Sequence, residues 1–427
     1  MAATLQKNHL HSPEAVLKAA LEALACCRTR QISLDEYLDD LSQDMLLRRR
    51  LSNLLFTYYR HRRQVTCAID ACCSKKPEQK LYDLLTAALT MAAFQDSLAP
   101  ESVVNIAVTL ARKEFGQYAA KFTNAVLRKA LEKLKNDNDM PALPPVLAKR
   151  WQKRFPAEEF QRLNELFLTN APATVRLRNN FDAGILPEEA LAEAIAIEAP
   201  WQFFRCRDLN ALIRSEAMRD GAFYIQDPAP GKVCALLNEA LPWLPDKGNF
   251  IDLCAAPGGK LIMTMELLSA AGKVYQATAL DRSPRRLQLV KENLQRCRLS
   301  CRTMAGDAAG WFSGTCFELV CCDVPCSNTG VFRRRPDALW RWQLKDLSDT
   351  VKLQSAILNN AAQLTAPGGL LLYSTCSLEP EENELQIGQF LQQHPGFELV
   401  NSQLFMPDEF CDGTFAALLQ KKSEALL

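Results

Sequence analysis

The chain has 427 residues, 48% of them hydrophobic and 23% charged, with 50 basic against 49 acidic side chains. That length holds two or three domains, and the balance is that of ordinary globular domains. A net charge of +1 excludes a protein that draws nucleic acid by overall charge, so any such affinity must come from local clusters.

The opening MAATLQKNHLHSPE has no apolar signal-like core, and no apolar run reaches transmembrane length. We therefore expect a cytoplasmic protein with no membrane partner, and separately expect a monomer. From Ser12 to about Lys135 the periodicity is helical almost throughout. Ser12-Pro13-Glu14 reads as an N-cap, an N1 proline and an acidic first turn, with Val16, Leu17, Ala20, Leu21 and Leu24 on one face. The same logic predicts helices over 33–48, 49–73, 78–96, 100–113 and 117–135. The basic runs LLRRRL (46–51) and YRHRR (59–63) fit a solvated helix face as well as RNA contact.

NDNDMPALPP (136–145) breaks the pattern and reads as a linker. Residues 146–228 are mixed: a helical stretch through WQKRF and FQRLNELFL, short strands at TVRLRNN and WQFFRCR, and a helix beginning at Pro187-Glu-Glu-Ala-Leu. The expected domains are 1–138, all helical; 146–228, a small α+β insert; and 229–427, an α/β domain.

From Asn249 strands and helices alternate. FIDLC, VYQATALD, CRTMAGD, FELVCCDV, GGLLLYSTC, FELV and FAALLQK are the strands, with helices near 259–271, 283–297, 346–365 and 380–393. This rhythm predicts a parallel sheet covered by helices on both faces, with ligands beyond the strand carboxyl ends. Those ends carry DLCAAPGGK (252–260), Asp281, Asp307, Asp323-Val324-Pro325-Cys326 and Thr375-Cys376-Ser377.

A glycine turn after the first strand and an acid about 20 residues on suit an adenosine-type ligand. APGGK is neither GxGxxG nor a P-loop, which points away from NAD and ATP and towards S-adenosylmethionine. Asp281 is then placed for the ribose hydroxyls and Asp307 for the adenine amino group. Sixteen cysteines in such a chain read as reduced thiols. The histidines His9, His11, His61 and His394 lie far from Cys321, Cys322 and Cys326, so no metal is expected. Cys321 and Cys322 lie within an apolar run and read as core. Cys326 and Cys376 follow their strands, and there chance, a redox pair and catalysis stay open. A thiolate is the best protein group to add to carbon 6 of cytosine, a carboxyl near N3 assists, and a second group removes the carbon-5 proton. Arg333, Arg334 and Arg335, close to Cys326, are candidates for RNA phosphate contact.

DLCAAPGGK, DVPCSNTGVFRRRPD, LLYSTCSLEPEENE and DGTFAALLQK resemble the motifs of the RNA 5-methylcytosine methyltransferases. The helical N-terminal region, with FTNAVLRKAL at 122–131, resembles the RNA-binding fold of the antitermination factor NusB. The pairing is similar to the bacterial 16S ribosomal RNA cytosine-5 methyltransferases of the Fmu/Sun type. It implies a NusB-like domain followed by a Rossmann-like domain that binds S-adenosylmethionine. Cys254, Ala255, Ala256, Pro257, Gly258, Gly259 and Lys260 would line the cofactor site with Asp281, Arg286, Asp307 and Asp323. In this family the nucleophile is the cysteine of the Thr-Cys-Ser triplet, here Cys376, while the Pro-Cys-Ser cysteine, Cys326, assists release. Two departures stand out: Val324 replaces the usual alanine, and Thr414-Phe415 replaces an aromatic pair. The implied partner is RNA, with 16S ribosomal RNA ahead of transfer RNA. The rival from another class is a non-catalytic RNA-binding assembly factor.

Overall fold

The computed structural model describes residues 12–41, 44–136, 143–197 and 200–423. His9, His11 and residues 137–142 of the expected linker lie outside them. The chain divides into two compact units, one taking it up to Asn170 together with Phe332–Arg341, the other taking Ala171–Val331 and Trp342–Leu427.

In the first unit the helices begin where the chemistry requires. Ser12 Oγ accepts from Ala15 N at 3.2 Å, Pro13 stands in the first turn, and the helix Pro13–Arg30 ends at Gln31 in a left-handed conformation (φ 55°). The division expected at 48/49 does not occur. Asp44 accepts from Leu46 N and Leu47 N and starts one helix, Met45–Asp70, which carries both basic runs. Helices Gln79–Phe94, Pro100–Phe115 and Gln117–Asn136 follow. Leu17, Leu54, Leu55, Leu84, Val103 and Leu127 are among the buried residues they share.

Helices Pro145–Arg154 and Ala157–Phe167, expected in a separate insert, belong to this unit. Their Trp151 and Phe167 pack on Phe332, with ring centroids 6.1 and 5.7 Å away. The rest of 332–341 is built into the same unit. Asp337, buried, accepts from Leu34 N at 3.1 Å, and Trp340 Nε1 donates to Tyr59 O at 2.7 Å. Arg60 donates to Arg333 O at 3.0 Å, and the Arg62 guanidinium lies 4.8 Å over the Trp340 ring. Much of the second basic run thus serves internal packing.

The second unit holds two sheets. Strands β1 (Thr174–Leu177), β2 (Leu191–Ile195), β3 (Gln202–Cys206) and β4 (Phe223–Ile225) form an antiparallel sheet in the order β2-β3-β1-β4. The helix expected from Pro187 is only a 3-10 turn at Glu188–Ala190, after which LAEAI is β2. Pairing with β3 decides the matter, since those alanines and glutamates favour helix in isolation.

The large sheet comprises β5 (Lys247–Asp252), β6 (Val274–Asp281), β7 (Arg302–Ala305), β8 (Phe317–Asp323), β9 (Thr365–Thr375), β10 (Phe397–Phe405) and β11 (Thr414–Lys421). Its order is β10-β11-β9-β8-β5-β6-β7. β5 to β9 run parallel, as expected, but β11 pairs antiparallel with both β9 and β10, so the sheet is mixed. The short connection from Phe405 to Thr414 leaves no room for a crossover helix between the last two strands, so β11 returns antiparallel to β10. Two-residue alternation sorts the side chains: Leu319, Cys321 and Leu372 face one layer, while Val320, Cys322 and Tyr373 face the other. Both Cys321 and Cys322 are buried, as their apolar run predicts.

Candidate active site

The parallel strands deliver five loops to one edge of the sheet. The first, after β5, is the DLCAAPGGK turn. Gly258 sits at φ +105°, a conformation that disfavours any side chain, and starts the helix Gly259–Ala270. A side chain at Gly259 would collide with Gln226, its Cβ falling 2.7 Å from Nε2. The turn is held from outside by Tyr224 Oη and Asn293 Nδ2, both donating to Pro257 O, at 3.1 and 3.0 Å. The helix behind it is anchored by Glu266, whose buried carboxylate takes the guanidinium groups of Arg176 (2.6 Å) and Arg178 from the small sheet.

Asp281, at the end of β6, turns its carboxylate towards this loop. It accepts from Ala256 N at 3.2 Å and from Ser283 N at 2.9 Å. Arg286 donates to Ala256 O at 2.7 Å and lies 3.7 Å from Asp281 Oδ2, so it spans the loop and the carboxylate. Asp307, after β7, is exposed and accepts from Ala309 N at 3.1 Å.

The loops after β8 and β9 are neighbours because the register pairs Asp323 with Ser374. Asp323 Oδ1 accepts from Ser374 Oγ at 2.8 Å, and Oδ2 is 2.7 Å from Lys260 Nζ. Burial opposes the charge on Lys260, yet the Asp323 carboxylate outweighs it and holds the ammonium above its usual range. Beyond Asp323 the thiols of Cys326 and Cys376 lie 3.1 Å apart, and Cys376 Sγ is 3.3 Å from Asn328 Oδ1. Asn328 keeps a left-handed backbone (φ 60°) and donates to Cys326 O at 2.9 Å. The hydrogen bond with Cys376, then burial, raises Cys326 well above the ordinary thiol range. Burial, reinforced by Asp252, also raises Cys254 far above it.

The loops also meet through backbone. Gly330 N donates to Cys376 O and Gly413 N to Gly330 O, both at 2.9 Å, and a Cβ at Gly330 would fall 2.3 Å from Gly413 O. Only glycine fits there. Below the thiols lies a residue that sequence reasoning passed over. Glu382, fully buried, accepts from Ser327 N at 2.8 Å, from Gln354 Nε2 at 3.0 Å, and from the hydroxyls of Ser327 and Ser377. The one available signal was its place in EPEENE, six residues after Cys376, but an acidic turn ahead of a helix reads equally as solvent-facing.

The arginines depart from expectation. Arg333 is 4% exposed, so its guanidinium is withdrawn from any phosphate. Arg334 is half-buried, and Arg335 is exposed but stands 3.5 Å from Asp35. All three belong to the helical unit, because Phe332, Asp337 and Trp340 are built into it.

Comparison with known proteins follows the same division. Residues 243–419 match the family described as 16S rRNA methyltransferase RsmB/F, and residues 15–132 match the NusB family. The chain is 34% identical over 303 residues to ribosomal RNA small subunit methyltransferase B of Erwinia tasmaniensis, covering 67% of this chain and 68% of that one. It is 33% identical over 304 residues to the protein of the same name from Vibrio cholerae, covering 65% of each, a little under two thirds of that relative's length. Among solved structures it is similar to PH0851, with a TM-score of 0.74, 22% identity, and coverage of 96% of this chain and 99% of that one. It is also similar to NSun6 from Pyrococcus horikoshii, with a TM-score of 0.50, 21% identity, and coverage of 66% and 99%. A helical NusB domain and a mixed seven-stranded methyltransferase sheet thus occur in one chain, which belongs to the 16S rRNA methyltransferase RsmB/F family.

Proposed function

We propose that the chain methylates carbon 5 of a cytosine in 16S ribosomal RNA, using S-adenosylmethionine and a transient bond from Cys376 to carbon 6. The observation that carries this reading is the contact of Cys326 and Cys376 beside the Asp323–Lys260 pair. The relatives' name, ribosomal RNA small subunit methyltransferase B, supports the substrate class.

The donor set fits the cofactor. Carboxylates at successive strand ends, Asp281, Asp307 and Asp323, repel a polyphosphate and suit hydroxyl and amino groups beside a cationic sulfur. The loop 254–260 with Asp281 and Arg286 would hold it, Asp281 at the ribose and Asp307 at the adenine. When bound, S-adenosylmethionine supplies an electrophilic methyl group.

The chain's own groups do the rest. Cys376, as thiolate, adds to carbon 6 and turns the ring into an enamine with electron density at carbon 5. Asp323 stabilises that ring at N3, and Lys260 on its other oxygen keeps a proton at hand. Cys326, a thiol held high by its neighbours, is a strong base once deprotonated, which suits removal of the carbon-5 proton so that the Cys376–carbon 6 bond breaks. A stacked or paired target must be turned out into the site. Of the three arginines, exposed Arg335 is the one left to meet phosphate.

Bisulfite sequencing of ribosomal and transfer RNA, with and without the gene, tests the assignment. One 16S cytosine should lose its protection; loss at a transfer RNA cytosine would move the substrate, and no change would sink the activity. Cys326→Ala should accumulate a denaturant-resistant protein–RNA adduct and Cys376→Ala should form none.

A further inference from the structure

We infer that Glu382 is a positioning residue that ties the Pro-Cys-Ser and Thr-Cys-Ser loops together through the serine following each cysteine, and so holds Cys326 and Cys376 in contact. This deepens the proposed reaction and rests on both thiols taking part.

Side chains join the two loops below the thiols: the Ser327 and Ser377 hydroxyls lie 3.1 Å apart, Thr329 Oγ1 lies 3.1 Å from Ser377 Oγ and accepts from Leu378 N at 2.7 Å, and the Glu382 carboxylate accepts from both serines. Ser327 follows Cys326 and gives Glu382 both its backbone N–H, at 2.8 Å, and its hydroxyl. Ser377 follows Cys376 and gives its hydroxyl. Gln354 Nε2 completes the set at 3.0 Å and donates also to Pro325 O, at 2.8 Å, the residue before Cys326. Four donors thus fill the two oxygens of a carboxylate with 0% exposure, which is the acceptor capacity of an ionised Glu. Burial nevertheless raises Glu382 above its ordinary value, so the charge is held at a cost that plain packing does not require.

Its own position is fixed as tightly. Tyr373 Oη donates to Glu382 O at 2.7 Å. The next residue, Asn383, donates to Ser377 O at 2.8 Å and accepts from Thr375 Oγ1 at 2.7 Å. Ser377 Oγ in turn accepts from Glu379 N at 3.0 Å, which leaves its proton for Glu382. The result is a closed frame whose two outlets are the thiols 3.1 Å apart. A single anion accepting from both serines couples them, and misplacement of reacting groups by about 1 Å is enough to cost a large part of the rate.

The test uses the full chain, an in vitro 16S ribosomal RNA transcript, and Glu382→Gln beside Glu382→Ala. Glutamine keeps the shape but replaces one acceptor with a donor, so it should fold where alanine fails. We expect Glu382→Gln to lower kcat at least about ten-fold, with KM for the transcript and affinity for S-adenosylmethionine within about two-fold. A readout independent of turnover is oxidation by diamide, which takes one hydrogen from each thiol and joins Cys326 to Cys376. Peptide mapping should show this link forming more slowly in Glu382→Gln than in the unaltered chain. Unchanged kcat, an unchanged linking rate, or a parallel loss of S-adenosylmethionine affinity would each overturn the assignment. Cys376→Ala separates the two levels. If that variant still turns over, the proposed reaction fails; if it is dead while Glu382→Gln is unimpaired, only the role of Glu382 fails.

Discussion

Asp323→Asn probes the centre of the site by exchanging one carboxylate oxygen for an amide nitrogen. The asparagine oxygen can still accept from Ser374 Oγ, now 2.8 Å from Oδ1, but its amide nitrogen would face Lys260 Nζ, now 2.7 Å from Oδ2. Two donors then oppose each other, and the ammonium loses its counter-ion. The side chains are 36% and 20% exposed, between surface pairs worth at most about 1 kcal/mol and buried pairs whose breaking costs about 3–5 kcal/mol. A stability loss of about 1–2 kcal/mol follows, which leaves the chain folded. The rate should suffer far more. Removing a group that stabilises the activated ring costs roughly 10²–10⁴-fold. In the proposed reaction ring activation precedes methyl transfer, so adduct formation with RNA carrying 5-fluorocytosine should slow in step with turnover. Urea unfolding, initial rates of methyl incorporation and the time course of adduct formation on denaturing gels measure the three quantities. If turnover stays within about ten-fold and the adduct forms at its usual rate, Asp323 merely holds Lys260 and the chemical role given to it is wrong.

Other perturbations read other parts of the structure. Asp252 is buried at the end of β5, and burial first, then the charge of Asp323, pushes its carboxyl up to about 7 from 3.8. The folded chain therefore retains a proton that the unfolded chain has lost between about pH 4 and 7. This contribution to stability is complete below that window and falls away as pH rises through it. Asp252→Asn should accordingly raise the melting temperature at pH 8 and do so much less at pH 5, as thermal scans without ligand will show; an equal shift at both would refute the burial of that charge. In the helical unit, Asp337→Ala leaves Leu34 N without its acceptor and Arg341 without its partner at 3.2 Å, at a cost of about 2 kcal/mol in urea unfolding. Phe332→Ala empties a fully buried ring position between Trp151 and Phe167 and should cost about 3–5 kcal/mol. If the RRR run were a free RNA-binding arm, neither change would alter stability.

What could be read from the sequence was whatever depends on local order. The caps at Ser12 and the glycine turn at 258–259 are signals of adjacent residues acting on their own backbone. The seven strands of the large sheet came from apolar runs, and the assignment of Cys321 and Cys322 to the core followed from their place within one run. Misreadings arose where a distant partner overrides local preference. LAEAI is strand because β3 lies beside it, whereas the Asp44 cap of the helix from Met45 is a local signal that the helix formers around it obscured.

By itself, then, the chain's order of residues determined the succession of helices and strands and which residues stand at strand ends, because hydrophobic period and turn chemistry are local. Only the tertiary structure decided which strand ends become neighbours. The register of β8 against β9 brings Cys326 to Cys376, and the return of the chain past Glu382 places a buried anion beneath both. It also turned three consecutive arginines, expected together as RNA phosphate contacts, into one buried, one half-buried and one exposed side chain. Burial depends on what the fold packs against a residue, and a run of like charges gives no local sign of that.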